Sequence, residues 1–213
     1  MNEKEKEFMK YLASLNKPTF TYKDYKKISE TVRCELIDGE IYYKDEWGDM
    51  QVHKDKDGNI LMMAAPSTLH QEIVLEIATQ LKSKLKDKKC KTFVAPTDLI
   101  LDKLNTLEPD IMVVCDESKI TSKGIKGTPD VIFEVISKGS IRKDKIQKYT
   151  VYGEFGVPKY IMVDAKNKEI ILCTLNDVGY YDTKKISIND DIVLKNCTIS
   201  LKDFVKENKE LFK

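Results

Sequence analysis

The sequence predicts an α/β (α+β) domain with a central mixed β-sheet flanked by helices, and three observations carry that expectation. STLHQEIVLEIATQLKSKLKD places Ile73, Ile77, Leu81 and Leu85 on one helical stripe, with Ser67 as its N-cap. EPDIMVVCD, TPDVIFEVIS and VPKYIMVDA are short runs rich in Val and Ile, as buried strands require. Between the last two lies SIRKDKIQKYTVYGEFG, a helical segment ended by Gly153 and Gly156. Helix, strands, helix, strand is the order of a mixed sheet covered by helices.

The remaining segments fit around that order. EKEKEFMKYLASL reads as a helix with Phe8, Leu12 and Leu15 on one side, and FTYKDYKKIS as a short helix capped at Thr21. CELIDGEIYYKD reads as a hairpin turning at Asp38-Gly39, a favoured two-residue turn. A second N-terminal hairpin is expected around DKDGN, and His53 there reads as a surface histidine. KCKTFVAPTDLILD gives one or two strands interrupted by Pro96. KEIILCTLNDVGYYDT gives a hairpin around Asn176 to Gly179, and the tail gives short strands and a closing helix. The whole, residues 1–213, reads as a single domain.

Composition narrows the function classes. Hydrophobic residues are 41% and charged residues 33%, which is a globular rather than disordered balance. Lys plus Arg is 36 and Asp plus Glu is 35, so no overall charge announces a nucleic-acid partner; a local patch is what counts. KSKLKDKKCK offers such a patch, although lysines also suit a helix C-terminus. Five scattered cysteines without CxxC argue against structural zinc and suit a reducing compartment. The start lacks the apolar run of a signal peptide, and no stretch approaches a membrane span, so the expected location is cytoplasmic. No GxxxxGK[ST] loop is present, which excludes P-loop chemistry.

Two strands begin with the same dipeptide. EPDIMVV carries Asp110, and TPDVIFEV carries Asp130 and Glu134. Alternation puts Asp130, Ile132, Glu134 and Ile136 on one face and Val131, Phe133 and Val135 on the other. A carboxylate inside such a strand needs a partner: a metal ion, a lysine, a backbone donor or solvent at an edge. If the two strands pair, Asp110 and Glu134 can share one divalent ion, with the Val135 carbonyl and waters completing its shell. Oxygen ligands suit Mg²⁺ or Mn²⁺, and the following helix supplies Lys143, Lys145 and Lys148. Asp144 lies four residues before Lys148 and can pair with it. His70 reads either as a partly buried histidine at a helix start or as a functional one.

CELIDGEIY, PSTLHQEIV, TFVAPTDLIL, EPDIMVV, GTPDVIFEVIS and YGEFGVPKYIMVD resemble, in that order, one family over roughly Phe20 to Phe204. It is the bacterial family of restriction-endonuclease-like proteins within the PD-(D/E)XK nuclease superfamily. The resemblance implies a core of a helix, a three-stranded meander, a second helix and a further strand, spanning about residues 62–175. Residues 45–60 look like a hairpin insertion. It implies a Mg²⁺-dependent DNA endonuclease that hydrolyses phosphodiester bonds with metal-activated water. Asp110 and Glu134 match the two metal ligands and Lys148 the catalytic cation. Ile136 occupies the usual lysine position, and SKGS replaces the usual Ser-Pro-Ser. His70, Glu76, Asp98, Asp144 and Lys145 are supporting candidates. The superfamily also contains members without activity, so the alternative is an inactive nuclease-fold module that binds DNA or protein. A homodimer is expected, with Tyr42, Tyr43, Trp47, Tyr180 and Tyr181 available to an interface or to the core.

Overall fold

The computed structural model describes residues 19–30, 34–43, 67–136 and 143–212. The expected helix around Phe8 and the 45–60 hairpin with His53 lie outside the described residues. The element order is α1 (Tyr22–Ser29), β1 (Cys34–Ile37), β2 (Glu40–Tyr43), α2 (Thr68–Lys84), β3 (Lys91–Val94), β4 (Leu99–Ile100), β5 (Thr106–Leu107) and β6 (Ile111–Val114). There follow β7 (Ile120–Thr121), β8 (Gly124–Lys126), β9 (Val131–Val135), α3 (Lys143–Glu154), β10 (Lys159–Asp164), β11 (Glu169–Leu175) and β12 (Tyr181–Ser187). A small ribbon, β13 (Asp191–Val193) with β14 (Thr198–Ser200), and α4 (Lys202–Glu207) close the chain.

Local chemistry accounts for the element ends. Thr21 caps α1 in a capping box with Asp24, whose carboxylate accepts from the Thr21 amide at 3.0 Å. Asp38 and Gly39 turn the β1–β2 hairpin with φ of 50° and 77°, the left-handed pair that a two-residue turn demands. The Ser67 hydroxyl accepts from the His70 amide, which starts α2 and fixes where His70 leaves the helix.

The core sheet runs β12-β11-β10-β9-β6-β3. β3, β6 and β9 form an antiparallel meander; β10 returns parallel to β9 after α3. Helix, meander, helix and parallel strand is the expected core. The alternation read in TPDVIFEV holds. Val131, Phe133 and Val135 pack with Ile73, Ile77 and Leu81 of α2, while Ile132 packs with Val151 and Tyr152 of α3. Both faces of β9 are therefore buried, which is why its sequence is nearly continuous in apolar residues.

A second six-stranded sheet, β2-β1-β5-β4-β8-β7, was not anticipated. Its Ile37, Tyr42, Leu99, Leu107 and Ile125 join the α3 side of the core, and Leu36 and Ile41 face Tyr25 and Ile28 of α1. Of the aromatics left open between interface and core, Tyr42 and Tyr181 are in the core at 6% and 8% exposure and Tyr180 is exposed, while Trp47 and the Tyr43 side chain lie outside the described residues. One expectation is corrected here. Cys90 and Cys115 are disulfide-bonded, so scatter along the chain did not mean separated thiols. They stand one step beyond the Lys91↔Val114 register of neighbouring strands. Among the described residues, no helix is long and apolar enough to cross a membrane.

The β6–β9 pair carries a reciprocal arrangement. Asp130, leading into β9, accepts from the Cys115 amide at the far end of β6 (2.7 Å). Asp110, leading into β6, accepts from the Val135 amide at the end of β9 (2.8 Å). Each Pro-Asp thus ties off its partner strand where the ladder runs out. Asp130→Ala leaves a strand-end amide without its acceptor and should destabilise the fold by about 1–3 kcal/mol in urea denaturation.

Candidate active site

The last paired register of β6 and β9 on this side is Ile111↔Phe133, and one step further Asp110 stands opposite Glu134. β9 presents Glu134 on the face shared with Ile132, toward α3. There the Lys148 ammonium donates to Glu134 Oε1 at 2.9 Å, and the Tyr152 hydroxyl donates to the same oxygen at 3.3 Å. Lys148 and Tyr152 are four apart on α3, so both reach one spot. From the other side of the sheet, His70 of α2 places Nε2 3.1 Å from Asp110 Oδ2. The site therefore sits at the strand ends, closed by one helix from each face.

A further carboxylate enters from the second sheet. Glu35 of β1 lies on the face of Ile37, turned toward the α3 side of the core. Its Oε1 accepts from the Glu108 amide at 2.7 Å and lies 3.3 Å from Lys148 Nζ. Lys148 thus spans two carboxylates, at 13% side-chain exposure. Glu108, Pro109 and Asp110 are consecutive, so one short segment steps from the Glu35 contact to the Asp110 contact.

The two strand-end carboxylates differ in their proton affinity. Burial pushes Asp110 up, but the His70 ring, the Val135 amide and the Lys148 ammonium outweigh it, and the carboxyl is held below its ordinary range. Glu134 goes the other way. Burial is the largest cause, offset by Lys148 and reinforced by Asp110 and Glu35, and it is pushed up to about 8. One carboxylate is ionised and anchored while its neighbour resists ionisation, a split typical of sites that exchange charge. Burial also raises the Tyr152 hydroxyl, followed by the Glu134 charge, so Tyr152 stays a donor.

The sequence-derived residues fall into three groups. Asp110, Glu134, Lys148 and His70 come together. Val135 takes part through its N–H; its carbonyl has no role in the contacts described. Glu76 and Asp98 are engaged elsewhere: Gln80 donates to Glu76 at 2.6 Å while bracing β14, and Asp98 accepts from Tyr25 at 2.5 Å and faces Lys26 at 3.5 Å. The side chains of Asp144 and Lys145 lie outside the described residues; among the described residues Lys148 meets Glu134 and Glu35. The lysines Lys82, Lys84, Lys86, Lys88 and Lys89 at the end of α2 are exposed, and Lys84 donates to the Thr198 carbonyl. Glu35 and Tyr152 were missed. The signal for Glu35 was available: a carboxylate set inside the apolar run CELI, as Glu134 is set inside VIFEV.

A meander and parallel strand, with a Pro-Asp carboxylate facing a mid-strand glutamate at the strand ends, define a PD-(D/E)XK-like, restriction-endonuclease-related protein. The chain belongs to the Uma2 family, which residues 48–200 match and whose description is "Putative restriction endonuclease". Its fold is shared with a crystal structure from Anabaena variabilis ATCC 29413, described as "a putative nuclease belonging to DUF820". Identity is 16% and the TM-score 0.65, over 88% of this chain and 98% of that one. Comparison with curated proteins finds no match.

The raised affinity of Glu134 for its proton has a measurable sign. A carboxyl raised in the fold stabilises it while protonated, below the unfolded value of 4.5, and that stability is lost as pH rises through about 8. Glu134→Gln, which mimics the protonated form, should gain stability over the wild type as pH rises from about 5 to about 9 in EDTA. Melting temperatures across that range check it; a constant or shrinking difference contradicts the assignment.

Proposed function

We propose that the protein is a Mg²⁺-dependent nuclease that hydrolyses phosphodiester bonds in DNA, acting as a homodimer when both strands are cut. The observation that carries this reading is the meeting of Asp110, Glu134 and Lys148 at one sheet end in a member of the Uma2 family. The donor set suits a hard cation. It is made of the carboxylate oxygens of Asp110 and Glu134, which stand opposite each other at the strand ends. Among the described residues no group of three or more His, Cys, Asp or Glu comes together to hold a metal. Mg²⁺ fits that sparse provision, since it is commonly held by one or two carboxylates, waters and the substrate's phosphates.

When bound there, a divalent cation supplies an activated water and a hold on the phosphate oxygens. The chain's own residues do the rest. The Val135 amide and His70 hold Asp110 Oδ2, so this carboxylate is aimed before any ligand arrives. Glu134, with its proton lost to solvent, would be the second carboxylate to hold such a cation, and Lys148 Nζ is already in contact with its Oε1. The Lys148 ammonium then meets the charge that develops on the phosphoryl oxygens, where a preorganised cation is most effective. The helix-borne lysine replaces the strand position that Ile136 fills here.

The direct Lys148–Glu134 pair supports a second reading, because it satisfies Glu134 with no metal. In that reading the protein is an inactive nuclease-fold module that binds DNA or protein. Plasmid cleavage separates the two. Wild type should cut in Mg²⁺ and stop in EDTA, and Lys148→Met should cut roughly 10²-fold more slowly while melting as a folded protein. DNA retention without cleavage in any divalent cation returns the module reading.

A further inference from the structure

Glu35 is the buried charge that the proposed chemistry leaves without a task. It is 5% exposed, stands on a strand of the second sheet, and is held by the Glu108 amide at 2.7 Å. Its oxygen lies 3.3 Å from Lys148 Nζ, only slightly farther than Glu134 at 2.9 Å. A buried carboxylate is costly unless paired, and this one adds to the repulsion that raises Glu134.

We infer that Glu35 is a positioning residue: it is the counter-charge that keeps the Lys148 ammonium in the site when a divalent cation binds Asp110 and Glu134. The inference rests on the metal-centre reading above and assigns a partner within it. Without the cation, Glu134 holds Lys148. A cation held by Asp110 and Glu134 would take up Glu134's charge and leave the ammonium beside a second positive centre. An ammonium on a four-carbon stem would then swing toward water. Glu35 opposes this, because its position does not depend on the metal: β1 and the Glu108 amide set it. The same segment, Glu108 to Asp110, presents the metal-facing carboxylate, so counter-charge and ligand are placed together. A ligand role for Glu35 itself is disfavoured. Its Oε1 is already shared by an amide and an ammonium, and among the described residues no three candidate ligands converge.

A double-mutant cycle on Glu35→Gln and Lys148→Met tests this with two readouts, neither of them cleavage. The first is melting in EDTA. Glu35→Gln should lower the melting temperature more, or raise it less, in the wild type than in the Lys148→Met background, by roughly 2–4 °C. Equal shifts in both backgrounds overturn the pairing. The second is Mn²⁺ affinity by calorimetry. Glu35→Gln should weaken Mn²⁺ about tenfold when Lys148 is present, because the displaced ammonium loses its other partner. In the Lys148→Met background the loss should be threefold or less, as expected for one distant charge removed. An equal or larger loss in that background makes Glu35 a ligand and overturns the positioning role. A wild type that binds no Mn²⁺ overturns the metal centre and the inferred role within it, while the EDTA cycle still decides whether Glu35 and Lys148 are coupled.

Discussion

The reciprocal tie between β6 and β9 is the constraint on which the rest depends. Two antiparallel strands of four and five residues are short, and their last amides lie beyond the ladder. A carboxylate at each end supplies the missing acceptor, and the paired strands are held in one register. That register sends Phe133 toward α2 and Glu134 toward α3, and a slip of one residue would exchange the two faces. Everything that packs on the sheet from either side presupposes it.

Only one end of this pair gathers charged groups from the elements around it. At the Asp130 end the neighbours are an amide and a disulfide. At the Asp110 end, Glu134, Glu35, Lys148 and His70 converge among the described residues, a gathering of charged and ionisable groups that the other end lacks. Such a cluster is a local destabilisation, kept in place by the two cores above and below it. Buried charge in this form is wasteful in a structural element and expected where a ligand is to be met.

The core was legible because its signals are local. Ile73, Ile77 and Leu81 recur at helical spacing, VIFEV alternates between two packed faces, and Asp38-Gly39 can hardly be other than a turn. The second sheet was not legible. β4, β5 and β7 are two residues long, too short to show any period, and their pairing is set by partners far along the chain. The site shows the same division. Asp110 and Glu134 stood out as carboxylates in apolar strands, and Lys148 came from the resemblance. Glu35 carried the same local signal inside CELI, but its place beside Lys148 was hidden by distance, since its amide partner is 73 positions away. Cys90 and Cys115 escaped for the same reason: nothing in their spacing reports that β3 and β6 lie side by side.

The two Pro-Asp ties also bear on how such a domain drifts over generations. Holding a strand-end amide requires an acceptor oxygen, not a net charge, and the amide oxygen of asparagine serves as well as a carboxylate. A change of Asp110 to asparagine would therefore preserve the scaffold's knot while removing the negative charge from the strand end. Architecture and chemistry are secured here by different properties of one side chain. A lineage can lose the second and keep the first, and a nuclease shape can outlast its trade.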